Sequence, residues 1–168
     1  MRSGRPARTA NKVIEVGENG RRTKRLRPRS EDIEMAETVL RLNPAGLSVP
    51  SVPFTRTAVA VKAGLLFISG LTSMDGRGGV SGEDIAEQTR EVYRKLLVAL
   101  EAHGCDFTHL VKITIFLRDA GDIAEFNKVP GDFYPPDQYP AATLIADVRM
   151  VDPKCLVEIE AIAALPGN

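Results

Sequence analysis

Apolar and small residues alternate along 57–62, and after Ala63-Gly64 a mostly apolar run, Leu65-Leu66-Phe67-Ile68, ends in Ser69-Gly70. Two extended runs around a tight turn predict a hairpin. A glycine-rich loop over 75–82 follows, and the period then changes. Ile85, Thr89, Val92, Leu96, Ala99 or Leu100, and His103 recur at helical spacing behind Asp84. Asp84 with Glu87 three residues on is an aspartate version of the capping box, and Gly104 supplies the stop. Residues 110–117 return to strict alternation, with Val111, Ile113, Ile115 and Leu117 on one face, and predict a strand. Asp119 to Asp122 then turns into a second helix from Ile123 to about Val129, with an acidic N-cap and Glu125 at its third position. Pro130-Gly131 ends it early. The chain closes with runs at 143–149 and 157–163 around the turn Asp152-Pro153-Lys154, read as a second hairpin. The order hairpin, helix, strand, helix, hairpin is that of an α+β domain. A weaker periodicity over 30–42 predicts a short helix capped by Ser30.

Composition places these elements in one ordinary domain. The chain has 168 residues, 43% hydrophobic and 26% charged, enough to bury a core. No apolar run approaches the roughly 20 residues of a membrane span, and no apolar stretch follows the N-terminal arginines as in a secretory signal, so a membrane partner is not expected and the cytoplasm is the expected compartment. Cys105 and Cys155 lack metal-site or redox spacing and read as free thiols.

The net charge of zero conceals an asymmetry. Residues 1–29 hold ten Lys/Arg against Glu15 and Glu18, a balance of +8, which leaves −8 for the rest. Residues 1–40 are therefore read as a basic, flexible extension and 41–168 as the folded domain. Within the extension, 1–34 are too poor in large apolar side chains to offset the entropy of ordering. A basic arm that touches RNA and an alternative start at Met35 are the two readings of this segment. The acidic remainder argues against nucleic acid as the partner of the domain itself, since phosphate binding needs a basic surface.

Candidate chemistry is sparse. His103 and His109 have no carboxylate or cysteine at ligand spacing, so no metal site is expected. No GxSxG elbow is present, and Gly76-Arg77-Gly78-Gly79 matches neither a phosphate loop nor a dinucleotide fingerprint. In the closing runs Ala142, Leu144 and Ala146 share one strand face, and Glu158, Glu160 and Ile162 share another. Two carboxylates so spaced lie about 7 Å apart. They either line a solvated sheet face or form a site.

The residues Tyr139, Pro140, Ala141 and Thr143, the unbroken Val157-Glu158-Ile159-Glu160-Ala161-Ile162-Ala163, Phe67 to Gly70, Gln88-Thr89 and Asn127 together resemble the RidA/YjgF family, long labelled endoribonuclease L-PSP. The resemblance covers roughly residues 41 to 165. It implies a six-stranded mixed sheet with two helices on one face, like that of chorismate mutase, assembled as a homotrimer with ligand clefts between subunits. The implied chemistry is hydrolysis of reactive enamines and imines, without metal or organic cofactor, on a small-molecule metabolite. Glu158 would hold or activate the water, and Phe54, Arg56, Ser69, Gly70, Asn127, Tyr139, Ala142 and Leu144 would line the substrate cleft. One position departs from the family pattern. Ala142 stands where the deaminating members carry an arginine that pairs with the substrate carboxylate, and loss of that bidentate pair is worth on the order of several kcal/mol. Arg56 and Arg149 are the candidate replacements. The expectation is a Rid-like trimer acting on a small imine or enamine with altered specificity. A non-catalytic ligand-binding or protein-interaction trimer is the alternative, and ribonuclease activity the third reading.

Overall fold

The computed structural model describes residues 12–16, 22–26 and 38–167. It divides into two units between Thr38 and Val39. In the first, β1 (Lys12–Val16) pairs antiparallel with β2 (Arg22–Leu26), Ile14 standing opposite Lys24. The sequence reading places no regular element there. Val13, Ile14 and Val16 are residues that favour extended backbone.

The second unit holds β3 (Val39–Leu42), β4 (Thr57–Ala60), β5 (Leu65–Thr72), α1 (Ile85–Glu101), β6 (Leu110–Leu117), α2 (Ile123–Phe126), β7 (Ala141–Ile145) and β8 (Val157–Ala164). Its six strands form one mixed sheet in the order β3-β4-β5-β8-β6-β7. Only β6 and β7 run parallel; every other neighbour is antiparallel. The first hairpin matches expectation, with Gly64 in the left-handed region at φ 61° closing the turn. The helix expected over 30–42 does not extend to its end. Residues 39–42 are strand, because β4 offers them an open edge and Leu40 pairs with Val59; residues 30–37 lie outside the described part.

The closing runs are not a hairpin. β8 inserts between β5 and β6, and β7 joins the far edge of β6 in parallel. The connector 146–156 crosses the end of β6: the Val148 amide donates to the Leu117 carbonyl (3.2 Å) and the Arg118 amide to the Leu156 carbonyl (3.0 Å). Asp147 makes the bend, at φ 58°. It ends β7 at Ile145, so Ala146 and Arg149 belong to the connector rather than to a strand face.

Helix α1 forms where the periodicity places it. The Asp84 carboxylate accepts from the Glu87 amide at 2.8 Å, and the Glu87 carboxylate reaches back to the Glu83 amide at 2.9 Å. The apolar stripe of α1 includes Val92, Tyr93, Leu96 and Leu100 and packs into the core that the sheet builds from Leu66, Ile113, Leu117, Val157 and Ile159. Asp84→Ala removes the cap, and denaturant melts should report a loss of about 1 kcal/mol.

Two further expectations are corrected. Val111 is half exposed while Leu110 is buried, because the β6–β8 register shifts between Leu110 and Lys112 and the extra residue breaks the alternation. The second helix keeps only four α-helical residues. Its approach is a 3-10 turn over Ala120–Asp122 capped by Asp119, which accepts from the Gly121 amide at 2.7 Å, and Asp122 makes no side-chain cap. Beyond Phe126 the amides of Lys128 and Val129 each bond three residues back, so the turn tightens before Pro130. No helix among the described residues is long and apolar enough to cross a membrane.

Candidate functional site

Glu158 pairs with Thr72 on β5 and with Phe116 on β6. Its side chain lies directly over Gly70. A Cβ built on Gly70 would stand 1.8 Å from Glu158 Oε1 and 2.8 Å from Cδ. A side chain at Gly70 would displace the carboxylate, which occupies the volume it would fill. Burial raises the proton affinity of Glu158 above the ordinary glutamate value; the charge of Glu160 adds to the rise, and Arg56 opposes it.

The segment before β4 supplies the rest of this half of the site. Arg56 is not a free cation. Its Nε donates to the Ser48 carbonyl at 2.8 Å and its Nη2 to Ser48 Oγ at 2.9 Å, while its backbone amide donates to Asn43 Oδ1 at 2.9 Å. The guanidinium carbon stands 5.3 Å from the centroid of the Phe54 ring. Ser69 Oγ donates to the Thr55 carbonyl at 2.7 Å and fixes this segment to β5. Phe54 and Ser69 line a shallow depression together with Arg41, Pro53, Thr55 and Phe67.

Asn127, Tyr139 and Ala142 belong to a different place. They line a cavity of about 380 Å³ together with Tyr93, Phe126 and Tyr134. Tyr93 stacks on Phe133 with centroids 4.9 Å apart, and Tyr134 meets Tyr93 and Tyr139 edge-on. The Tyr134 hydroxyl donates to that of Tyr93 at 3.5 Å, and burial pushes the pKa of both phenols up, so both stay neutral. Leu144 does not line the cavity; it packs against the core. Arg149 is exposed in the connector. Lys128 reaches the cavity rim, where its ammonium forms an ion pair with Glu125.

The two groups face opposite sides of the sheet. Ala142 and Leu144 pair with Ile113 and Ile115, which point into the core, whereas Glu160 and Glu158 pair with the intervening Thr114 and Phe116. Directly paired residues share a face. Within one chain, Glu158 and Ala142 are therefore not brought together. Tyr93 and Phe126 on the helices and Tyr134 in the loop after the 3-10 turn are not among the sequence-derived site residues; all three are buried, and an aromatic at such a position reads as core. Among the described residues no group of three or more His, Cys, Asp or Glu is arranged to hold a metal.

A sheet in this order, covered by helices on one face and carrying a carboxylate seated on a strand glycine, defines an α+β protein of the RidA type. The family model described as Endoribonuclease L-PSP matches residues 47–165, and the chain belongs to this family. It is similar to a RutC family protein of Pyrococcus horikoshii, 36% identical over 107 residues that span 62% of this chain and 82% of the relative. A human protein named 2-iminobutanoate/2-iminopropanoate deaminase is 33% identical over 100 residues, 58% of this chain and 71% of its own. Among solved structures, a YjgF-family protein of Neisseria meningitidis superposes with a TM-score of 0.62 at 29% identity, over 73% of this chain and 96% of that one.

Proposed function

We propose that this chain is a Rid-type imine or enamine hydrolase that works as a homotrimer on a small substrate lacking the usual amino-acid carboxylate. The carrying observation is Glu158, held over Gly70 with its proton affinity raised by burial. In the reaction, water adds to the C=N carbon while its proton passes to the Glu158 carboxylate. The proton returns to nitrogen, the carbon–nitrogen bond breaks, and a carbonyl compound and ammonia leave. Each cleft would join the Glu158 half of one subunit to the Ala142 half of the next, which accounts for the two halves facing apart in one chain. Exposed apolar residues on the outer sheet face, Phe67 and Ile145, give such an assembly surface to cover.

The altered specificity rests on Ala142. None of the three stands in the place of Ala142: Arg56 donates to the neutral groups of Ser48 and acts on Glu158, Arg149 stands in the connector, and Lys128 makes an exposed pair with Glu125. The same absence favours the second reading, a trimer that binds a ligand without turning it over.

One set of measurements tests both. Light scattering should give three times the 18.2 kDa chain mass, and a stable monomer at micromolar concentration would rule out the shared cleft. Ammonia release from a carboxylate-free imine should exceed buffer for wild type and drop by about 10²–10⁴-fold in Glu158→Gln. 2-Aminoacrylate should remain near background until Ala142→Arg restores a carboxylate partner. Because Glu158 works ionised, the rate should fall with decreasing pH through a value above that of an ordinary glutamate. Silence of every variant on every imine would leave the binding reading.

A further inference from the structure

Arg56 stands where a cation can act on the Glu158 carboxylate without covering it. The Ser69 amide donates to the Arg56 carbonyl at 3.0 Å, which brings Arg56 alongside Ser69, next in the chain to the glycine over which Glu158 lies. An unrestrained guanidinium beside a carboxylate closes on it as a two-bond fork. Here, among the described residues, no ion pair joins the two. The fork is turned onto Ser48 instead, with Nε on its carbonyl at 2.8 Å and Nη2 on its hydroxyl at 2.9 Å, and the guanidinium carbon stands over the Phe54 ring. Both Ser48 groups are neutral and leave the positive charge unanswered. Burial lowers the proton affinity of Arg56 and Glu158 raises it, and an arginine stays charged through such changes.

We infer that Arg56 is a positioning residue for the Glu158 base: turned aside by Ser48, it lends the carboxylate a fixed positive charge without taking up the oxygens that must meet water and the substrate nitrogen. This rests on the reading of Glu158 proposed above and names the group that keeps it ready. A direct fork would hold the carboxylate more firmly and bar it from accepting a proton. The other ionisable groups around Glu158 do not supply the charge. Glu160, two residues on along β8, opposes ionisation, and the Cys155 thiol in the connector is kept protonated by burial. Lys112 on β6 stands level with Ile162, beyond Glu160, with its ammonium on the Ile113 carbonyl. From α1, Lys95 gives its ammonium to the carbonyls of Thr72 and Met74. Arg56 alone among these cations opposes the rise in the proton affinity of Glu158.

The test reads Glu158 directly. Its carboxyl carbon-13 resonance, assigned with Glu158→Gln, is followed against pH in the full chain for wild type, Arg56→Gln, Arg56→Lys and Ser48→Asp. Arg56→Gln should move the midpoint to higher pH, and Arg56→Lys, which keeps a charge, should move it less. Ser48→Asp leaves Arg56 in place but answers its charge, since position 48 is exposed and its side chain already meets Nη2. It should move the midpoint in the same direction as Arg56→Gln, and it decides alone should Arg56→Gln fail to give a native circular dichroism spectrum. In ammonia release from a carboxylate-free imine, Arg56→Gln should lose at least about threefold at about pH 5 and converge on wild type at about pH 9, where Glu158 is ionised in both. A loss from mere structural damage would persist at every pH. A midpoint unmoved in both Arg56→Gln and Ser48→Asp, or a deficit equal at every pH, would overturn the inference. If the midpoint moves while no imine is hydrolysed, the Arg56 assignment stands and the hydrolase reading falls. If turnover needs Glu158 but its pH dependence ignores Arg56, the reverse holds.

Discussion

Gly70→Ala is expected to displace the Glu158 carboxylate at a stability cost of about 1 kcal/mol or less, because the atoms in its way are the flexible end of that side chain, and to cost nothing once Glu158 is replaced by alanine. The added Cβ would meet only the Glu158 side chain: Oε1 at 1.8 Å, Cδ at 2.8 Å and Cγ at 3.1 Å. Truncating Glu158 removes all three contacts. Gly70 has no positive φ, so a side chain there is otherwise unstrained, and alanine in that background should even gain a few tenths of a kcal/mol by restricting the unfolded chain. Urea melts of the wild type, both single variants and the double variant, at one chain concentration, give the coupling directly. Simple additivity would mean that the carboxylate does not rest on the glycine in solution. Activity should fall with Gly70→Ala alone, because the carboxylate is pushed from its seat although its chemistry is intact.

The second large effect is expected at Gln88, on the first turn of α1. Its side chain is 2% exposed and satisfies three backbone groups: Nε2 donates to the carbonyls of Gly82 (3.2 Å) and Lys154 (3.0 Å), and Oε1 accepts from the Leu156 amide at 2.9 Å. Leucine at this position would leave an amide and two carbonyls without these partners. The expected loss is about 2–3 kcal/mol, since the buried Leu156 amide costs about 1–3 kcal/mol when abandoned while the part-buried carbonyls of Gly82 and Lys154 can turn to water. Thr89→Val is the contrasting variant. The Thr89 hydroxyl donates only to the Ile85 carbonyl one turn back, at 2.6 Å, and that carbonyl keeps its place in the helix. A loss below about 1.5 kcal/mol is expected there. Equal effects of the two variants in denaturant melts would show that Gln88 does not tether the connector to the helix.

These two positions also mark how far the sequence could be read. Helix α1 was legible because its signals are local: Asp84 and Glu87 lie three residues apart, and Val92, Leu96 and Leu100 recur every four. Gln88 was visible as a match to the family pattern, but its bonds reach across 66 and 68 residues to the connector, and nothing in a one-dimensional pattern encodes such a tether. The closing strands are legible as strands but not as partners, for the same reason. Alternation tells which residues share a face of a strand; it does not tell which strand lies beside it. Strict alternation puts Val111 inside, because it has no means of registering the extra residue between Leu110 and Lys112. The candidate site was legible as residue types through the family resemblance, while the separation of Glu158 from Ala142 onto opposite faces follows only from the register of β6 with both of its neighbours.

The register shift between β5 and β8 has a consequence for the seat of Glu158. Ile68 pairs with Ala161 and Leu71 with Ile159, so β5 spends three steps where β8 spends two. Upstream of the shift even-numbered residues, Leu66 and Ile68, are buried; downstream the parity changes and Leu71 and Ser73 are. Ser69-Gly70 thus acts as a phase slip that carries one residue more than a regular ladder needs. Deleting one would give a regular ladder in which Ile68 and Leu71 stand two apart, opposite Ala161 and Ile159, and both still face the core. The extra residue is therefore explained by the site rather than by the core: it places Gly70 beneath the Glu158 carboxylate, a seat that a regular strand would lose.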